Sequence, residues 1–170
     1  MVSVPFKGNE EVSSNKKRPS QQYKNSREPN FEAQPDLIPP QNLEAEEAVL
    51  GGILLDPDAI GRIADIVSPD AFYLNAHREI FRTALMLHSQ GKPTDLTSMR
   101  SWLADTGSLE KVGGNQRLVT LVEGVASTAS IEQVAKLITD KFIRRQLIKS
   151  GNEVIKLSFD KSIATEEVLD

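Results

Sequence analysis

Few residues in this sequence have the types and spacing that ligand binding or catalysis requires. The segment Gly91-Lys92-Pro93-Thr94 is similar to a phosphate-binding loop, in which backbone N–H groups and a lysine hold the phosphates. That motif also needs an earlier glycine at the position of Met86, and Ser or Thr at the position of Pro93. Neither condition is met, so we exclude a nucleotide-binding site here.

The two histidines, His77 and His88, are the next candidates, and the chain has no cysteine. Both lie on one predicted helix, three turns apart, which is about 16 Å at 1.5 Å per residue. They are too far apart to bind one metal ion, so we interpret them as packing or hydrogen-bonding residues. Paired carboxylates such as Glu46-Glu47 lie at helix starts, where they offset the helix dipole. We predict no catalytic residue, no cofactor-binding residue and no metal ligand in this chain.

The charge of the chain argues against a nucleic-acid or membrane partner. Its net charge is −4 and its pI is about 5.3, so the molecule as a whole is not suited to a polyanion. Lys16-Lys17-Arg18 is too short for a basic patch, which takes about 5–8 residues. The longest apolar run, 48–55, is far shorter than the ~20 residues that span a bilayer. We expect no strong direct nucleic-acid binding and no membrane association.

A predicted helix between Pro39-Pro40 and Asp56-Pro57 organises the rest of the chain. Asn42 is placed to cap its first turn, and the leucine spacing gives it an apolar face. Gly51 and Gly52 lie inside it, where each glycine costs about 0.5–1 kcal/mol relative to alanine. We predict that another helix packs closely against the backbone at these two glycines, because close packing would offset that cost.

Helical periodicity predicts four further elements before residue 128. They are a helix over 57–67, a helix capped by Asn75 that ends near His88, a helix capped by Thr94 or Asp95 that ends near Asp105, and a short helix over 116–123. The connector 71–74 is predicted to fill the core as a turn. No strand-like alternation is long enough for a sheet. We predict an all-α fold, a compact helical bundle followed by a long helix that forms the first arm of a helical hairpin.

The helical pattern from Ile131 to Phe159 is much longer than the usual mean of about 11–12 residues. We expect a helix of this length to project beyond a small bundle and to need a partner for its apolar side. The residues predicted to mediate self-association are Ile131, Val134, Ile138, Phe142 and Leu147. Basic and acidic residues are mixed on the rest of the helix, which is typical of a solvated face.

The chain divides into three predicted parts. Residues 1–36 are polar, with 6 Lys/Arg and 5 Asp/Glu, and we predict a disordered tail. Residues 37–128 form the helical domain, and residues 129–170 form the long helix and the start of a hairpin or linker. Because 165–170 has the features of a helix start without a helix end, we expect a fragment whose missing part holds the return arm.

Taken in order, several motifs resemble the N-terminal region of bacterial replicative DNA helicases of the DnaB family. The first two are Pro-Pro-Gln-Asn-Leu-Glu-Ala-Glu at 39–46 and Val-Leu-Gly-Gly-Ile-Leu-Leu at 49–55. The later ones are Asp70-Ala71-Phe72-Tyr73, His77-Arg78-Glu79-Ile80-Phe81, Pro93-Thr94-Asp95-Leu96 and Val112-Gly113-Gly114. The long helix follows in the expected place, so the resemblance covers residues 37–170.

The resemblance implies a helical collar domain of a bacterial, cytoplasmic, hexameric helicase. It implies self-association from dimer to hexamer, docking of the primase and, as a further partner, a helicase loader. ATP hydrolysis with magnesium, and DNA translocation, would belong to a motor domain that these 170 residues do not include. We therefore expect no enzyme activity from this segment and an ATP-dependent DNA helicase as its parent.

Two other functions are compatible with a helical domain of this kind. One is the helicase-binding C-terminal domain of a primase, whose fold is similar; that domain would close its chain, whereas this segment starts at Met1. The other is a nucleic-acid-binding helical module, whose affinity for single strands would fall steeply with salt. The net charge of −5 outside the tail argues against it.

Overall fold

The computed structural model describes residues 38–125 and 127–160. Every regular element in this part of the chain is helical, which confirms the predicted fold class. The α-helices are α1 (Leu43–Leu55), α2 (Ala59–Ile63), α3 (Asn75–Ser89), α4 (Leu96–Asp105), α5 (Gly114–Glu123) and α6 (Ile131–Phe159). Short 3-10 helices at Pro69–Ala71 and Glu110–Val112 precede α3 and α5. The tail predicted at 1–36 and the helix start predicted at 165–170 lie outside the described residues.

Helix α1 lies at the centre of the head, the name used here for residues 38–125. It contacts each of the five other α-helices. Val49, Leu50 and Ile53 in α1 are completely buried. A helix that is apolar on nearly all sides is typical of a core position. The other helices are arranged around α1, and their positions depend on how closely they can approach it.

Neighbouring elements pass close to both glycines of α1. A Cβ atom added to Gly51 would overlap the carbonyl oxygen of Leu121 in α5 and the side chain of Val125. A Cβ atom added to Gly52 would lie 2.9 Å from the Cδ1 atom of Ile131, at the start of α6. The pair of glycines thus lets α5 approach α1 at the first position and α6 at the second.

Two of the predicted helix caps are present and one is wrong. The side chains of Asn42 and Asp95 each accept a hydrogen bond from a backbone N–H three residues later, at 3.0 and 2.9 Å. Asn75, in contrast, is the first residue of α3 rather than its cap. Its side-chain oxygen accepts a hydrogen bond from Arg78 Nη1 at 3.1 Å and makes no cap bond.

Helix α2 is shorter than the predicted span of 57–67. After Ile63 the backbone tightens, because the Ile66 N–H donates to the Ile63 carbonyl at 2.9 Å, as in a 3-10 turn. Val67 is nevertheless buried. The apolar spacing therefore continues past the end of α2, which is why the sequence predicts a longer helix.

The connector between the 3-10 helix and α3 fills the core as predicted. Phe72 is completely buried, and its ring centroid lies 4.9 Å from that of Phe81 in α3. A tilted aromatic pair of this kind contributes about 0.5–1.5 kcal/mol beyond the burial of its area. The connector thereby holds α3 against the core.

Replacing Gly51 with alanine is expected to lower the free energy of unfolding by about 1–3 kcal/mol, because the added methyl group overlaps the α5 backbone. Urea unfolding followed by far-UV circular dichroism measures this. The matched control is Gly151→Ala in α6, where no atom lies within 4 Å of an added Cβ. There alanine is expected to raise the stability by up to about 1 kcal/mol through its helix propensity. Equal effects of the two substitutions would contradict the close packing at Gly51.

Candidate interaction surface

The first three turns of α6 belong to the core of the head. Ile131, Ala135 and Ile138 are buried, and α6 contacts α1, α2 and the 3-10 helix at Pro69–Ala71. The Thr139 hydroxyl donates a hydrogen bond to the Ile66 carbonyl at 2.9 Å. This part of α6 is therefore fixed to its own chain and does not project from it.

This burial bears on the residues predicted to mediate self-association. Ile131 and Ile138 are only 4% and 1% exposed, so they have no surface to offer a second chain. Val134 and Phe142 are partly buried against the same core. Of the five predicted residues, Leu147 alone is well exposed, at 68%. The cause is geometric: Leu147 follows Ile138 by nine residues, about 2.5 turns, so the two lie on opposite sides of α6.

Arg145 marks the point at which α6 leaves the head. Its guanidinium donates to the Pro40 carbonyl at 2.8 Å and to the Ala71 carbonyl at 2.5 Å. It also lies 5.7 and 5.8 Å from the ring centroids of Tyr73 and Phe142, within the range of cation–π attraction. Burial lowers the pKa of Arg145, while the nearby Glu46 carboxylate acts in the opposite direction. The side chain ties α6 to the segments before α1 and α3.

Beyond Arg145, every residue of α6 except Leu157 is exposed. Five of these exposed residues are large and apolar: Leu147, Ile148, Val154, Ile155 and Phe159. The first four of them are called the distal face below. None of the helices in residues 38–125 and 127–160, α6 included, is long and apolar enough to cross a membrane. The distal face is an apolar surface that the described part of the chain leaves largely exposed.

The distal face does not continue the side of α6 that packs on the head. At 3.6 residues per turn, the buried side would continue from Phe142 through positions 145, 149, 153 and 156. Charged residues occupy all four: Arg145, Lys149, Glu153 and Lys156. The apolar residues instead lie about half a turn away, on the side of α6 opposite to the head.

A shallow apolar groove of about 390 Å³ lies beside the midpoint of α6. Ile66 and Leu85 line its head side, and Phe142 and Ile143 line its α6 side. Asp65 is its one charged lining residue. Because Ile143 is also 52% exposed, the groove lies next to the start of the distal face. Its composition suits an apolar side chain and not a charged ligand.

The most densely hydrogen-bonded polar cluster in the head joins α1, α3 and α5. His77 Nδ1 lies 2.7 Å from Glu46 Oε2, and both side chains are buried. Glu46 Oε1 accepts the Tyr73 N–H at 2.6 Å. On the other side of the ring, Arg117 Nη2 lies 2.9 Å from His77 Nε2 and donates to Glu47 Oε1 at 2.6 Å. Since a guanidinium only donates, Nε2 accepts, and Nδ1 carries the proton donated to Glu46.

This cluster joins three helices, and both ring nitrogens of its histidine are engaged within it. A carboxylate paired with an imidazole can act as a general base when one ring nitrogen is open to a substrate. Both nitrogens of His77 are hydrogen-bonded instead. Within the described ranges, no group of three or more His, Cys, Asp or Glu residues could hold a metal ion. His77 is thus the hydrogen-bonding histidine that the sequence predicts, whereas His88 is exposed and lies against Gly61 of α2.

Sequence reasoning missed two residues that position α6 and the cluster, Arg145 and Arg117. Both act through contacts distant along the chain: Arg145 reaches Pro40, and Arg117 reaches Glu47. An arginine on a helix with mixed charges gives no local sign of such a contact. The charged residues at 149, 153 and 156 could have indicated from the sequence where the buried side of α6 ends, because they occupy the positions that would continue it.

Comparison with known protein families and sequences gives the following matches. A family model described as the DnaB-like helicase N terminal domain matches residues 38–140. The chain is 52% identical over 133 residues to the replicative DNA helicase DnaB of Nostoc sp., covering 78% of this chain and 15% of that protein. It is 38% identical over 134 residues to the replicative DNA helicase DnaC of Bacillus subtilis, covering 79% of this chain and 30% of that protein. The chain thus spans less than a third of the length of these relatives.

Two solved structures match the fold. One is the crystal structure of the N-terminal domain of DnaB helicase from Mycobacterium tuberculosis, with a TM-score of 0.75 and 32% identity; the match covers 78% of this chain and 94% of that one. The other describes a DnaB-like replicative helicase and its interactions with primase, with a TM-score of 0.61 and 30% identity. That match covers 68% of this chain and 27% of the helicase chain.

Replacing Arg145 with alanine is expected to lower the free energy of unfolding by about 1.5–3 kcal/mol, because two hydrogen bonds from a charged group to carbonyls are lost. Arg144→Ala is the matched control. Among the described residues, the exposed Arg144 pairs only with Asp140 on the same helix, at 3.0 Å, so its loss is expected to fall within the error of a urea titration. An Arg145 variant as stable as the Arg144 variant would show that Arg145 does not anchor α6.

Proposed function

Because the chain belongs to the family of DnaB-like helicase N-terminal domains, we propose that it is the collar domain of a hexameric, ATP-dependent replicative DNA helicase. Its proposed tasks are to associate the subunits and to dock the primase during DNA replication. The observation that carries this proposal is the family match over residues 38–140, which the similarity to a solved N-terminal domain supports. The same match favours a helicase collar over the helicase-binding domain of a primase.

The distal face of α6 supports the proposed association of subunits. Its four large apolar residues are exposed on the side of α6 that the head does not cover. An exposed apolar patch on a soluble domain is typical of a protein–protein contact. The proposed contact therefore begins beyond Arg145. The buried residues Ile131 and Ile138 would not touch the second subunit; they hold α6 in place on the head.

Similarity to a helicase whose solved structure concerns its interactions with primase supports the proposed docking of a primase. That similarity amounts to 30% identity and covers 68% of this chain. A helicase loader is proposed as a further partner of the same collar. Each of these partners is a protein, in keeping with a head that has no strongly basic surface segment.

ATP hydrolysis is proposed to take place outside this segment. The chain covers 15% of the Nostoc helicase and 30% of the Bacillus helicase, so most of each relative lies in other regions. The loop at Gly91-Lys92 lacks the residues of a phosphate-binding motif. We therefore assign ATP and magnesium to a motor domain of the parent protein, and to this segment a role in assembly within the bacterial cytoplasm.

Self-association is tested by a charge placed on the distal face. Leu147→Glu is expected to weaken dimer formation at least about tenfold, because a carboxylate replaces an apolar contact. Sedimentation equilibrium over a range of concentrations measures this. Gln146→Glu is the matched control, since it adds the same charge at an exposed neighbouring position away from the distal face. Equal effects of the two variants, or a wild-type chain that is monomeric at every concentration, would contradict the proposed surface.

Primase docking is tested by isothermal titration calorimetry with the primase of the same organism. Saturable binding to the whole primase is expected, and no binding to a primase that lacks its C-terminal helicase-binding domain. Equal titration curves for the two primases, or no heat from either, would contradict the docking role. Phosphate release from ATP by the purified chain would contradict the assignment of hydrolysis to another domain.

A further inference from the structure

The connector, residues 71–74, is held to the head through its backbone. It links the 3-10 helix to α3, and its backbone is extended at Phe72. Ala71 and Phe72 are both buried. An extended segment cannot form the hydrogen bonds of a helix, so its buried polar groups need partners from elsewhere. The Phe72 carbonyl finds one in Arg78 of α3, which donates to it at 3.0 Å.

The residues on either side of Phe72 are held by α6 and α1. The Ala71 carbonyl accepts a hydrogen bond from Arg145 of α6 at 2.5 Å. The Tyr73 N–H donates to Glu46 Oε1 of α1 at 2.6 Å, and the Tyr73 ring lies 5.7 Å from the Arg145 guanidinium. A shift of the connector would therefore disturb its bonds to both helices at once.

The same Glu46 carboxylate leads to the surface of the head. Its other oxygen lies 2.7 Å from His77 Nδ1, and His77 Nε2 lies 2.9 Å from Arg117 Nη2 of α5. Arg117 also pairs with Glu47 at 2.6 Å, and the side chains of this pair are 29% and 45% exposed. Short contacts thus run without a break from an exposed ion pair, through the buried cluster and the connector, to Arg145.

Electrostatic attraction strengthens the inner end of this chain of contacts. Burial lowers the pKa of Arg145, the Glu46 carboxylate opposes that effect, and Arg78 adds to it. Glu46 therefore lies close enough to attract the Arg145 guanidinium. Displacement of Glu46 would weaken its bond to the Tyr73 N–H and would also remove part of the charge that stabilises Arg145.

The two ends of this chain are bonded to different groups. Arg117 bonds to the side chains of Glu47 and His77, whereas Arg145 bonds to backbone carbonyls on the other side of the connector. Substitutions at distant sites without a shared partner usually have additive effects on stability. An energetic link between Arg117 and Arg145 would therefore have to pass through Glu46 and the connector.

We propose that the connector couples the exposed Arg117–Glu47 pair to the hold of Arg145 on α6. A contact that draws Arg117 away from His77 would release Glu46 on one side, loosen the connector and let α6 change the angle at which it leaves the head. This coupling lies within one chain. It depends neither on family membership nor on what covers the distal face, so it holds or fails independently of the proposed function.

Amide hydrogen exchange, followed by NMR on the whole chain, tests the coupling. Arg117→Ala is expected to raise the exchange rates of the Tyr73 amide and of the amides at 142–146 by about fivefold or more beyond any rise at 49–54 in α1, because local opening becomes easier there. The α1 amides report the loss of global stability. Arg100→Ala is the matched control, since it removes the same charge from an exposed position on α4, and it is expected to leave these rates unchanged.

Urea unfolding of Arg117→Ala, Arg145→Ala and the double variant gives an independent measurement. The factor by which the double variant raises the unfolding constant is expected to be about threefold or more below the product of the two single factors, because both act through the connector. With Arg100→Ala in place of Arg117→Ala, the product is expected to hold. The proposal is overturned if the product also holds for Arg117→Ala, or if exchange at 142–146 rises no more than exchange in α1.

Discussion

The change of side along α6 is the constraint on which the rest of this structure depends. Up to Phe142 most of its apolar residues face the head, although Leu137 is 50% exposed. From Leu147 onward the apolar residues lie about half a turn away from the side that packs on the head. Arg145 stands between the two regions and holds the helix to backbone carbonyls of the head, so α6 cannot rotate to bury both. One continuous helix therefore has two contacts to make. The first is made within its own chain, and the second is the one proposed to be made with another subunit.

The head is built to hold the start of α6 firmly. Gly51 and Gly52 lie on the central helix, and their missing side chains let α5 and α6 approach its backbone. The buried pair of Glu46 and His77 joins α1 to α3, and Arg117 joins α5 to the same cluster. Buried polar groups that are fully hydrogen-bonded favour one arrangement of the helices, because any shift would leave a donor or acceptor unpaired. The rigidity of the head determines the direction in which the distal face of α6 is presented.

Features set by local interactions were predictable from the sequence, and features set by distant ones were not. The caps at Asn42 and Asp95 and the bounds of α6 follow from signals within a few residues, and the structure has them. The cap predicted at Asn75 is absent because α3 begins at Asn75 itself, with Leu74 at the cap position, and the Asn75 side chain bonds to Arg78 instead. Ile131 and Ile138, which the sequence predicts to mediate self-association, are buried in the head, because an apolar pattern does not say which chain covers it. Arg145 gave no local sign, since its partners lie far away along the chain.

The chain belongs to the DnaB-like helicase N-terminal domain family, and the role proposed for it, to join subunits while each head stays folded, fits this geometry. The central claim is that the distal half of α6 is covered by a second copy and the proximal half by its own head. Amide hydrogen exchange, measured over a series of protein concentrations, tests this most directly. The account predicts that amides between 147 and 155 exchange more slowly as the concentration rises, while those of α1 do not change. Exchange in 147–155 that is the same at every concentration would contradict it.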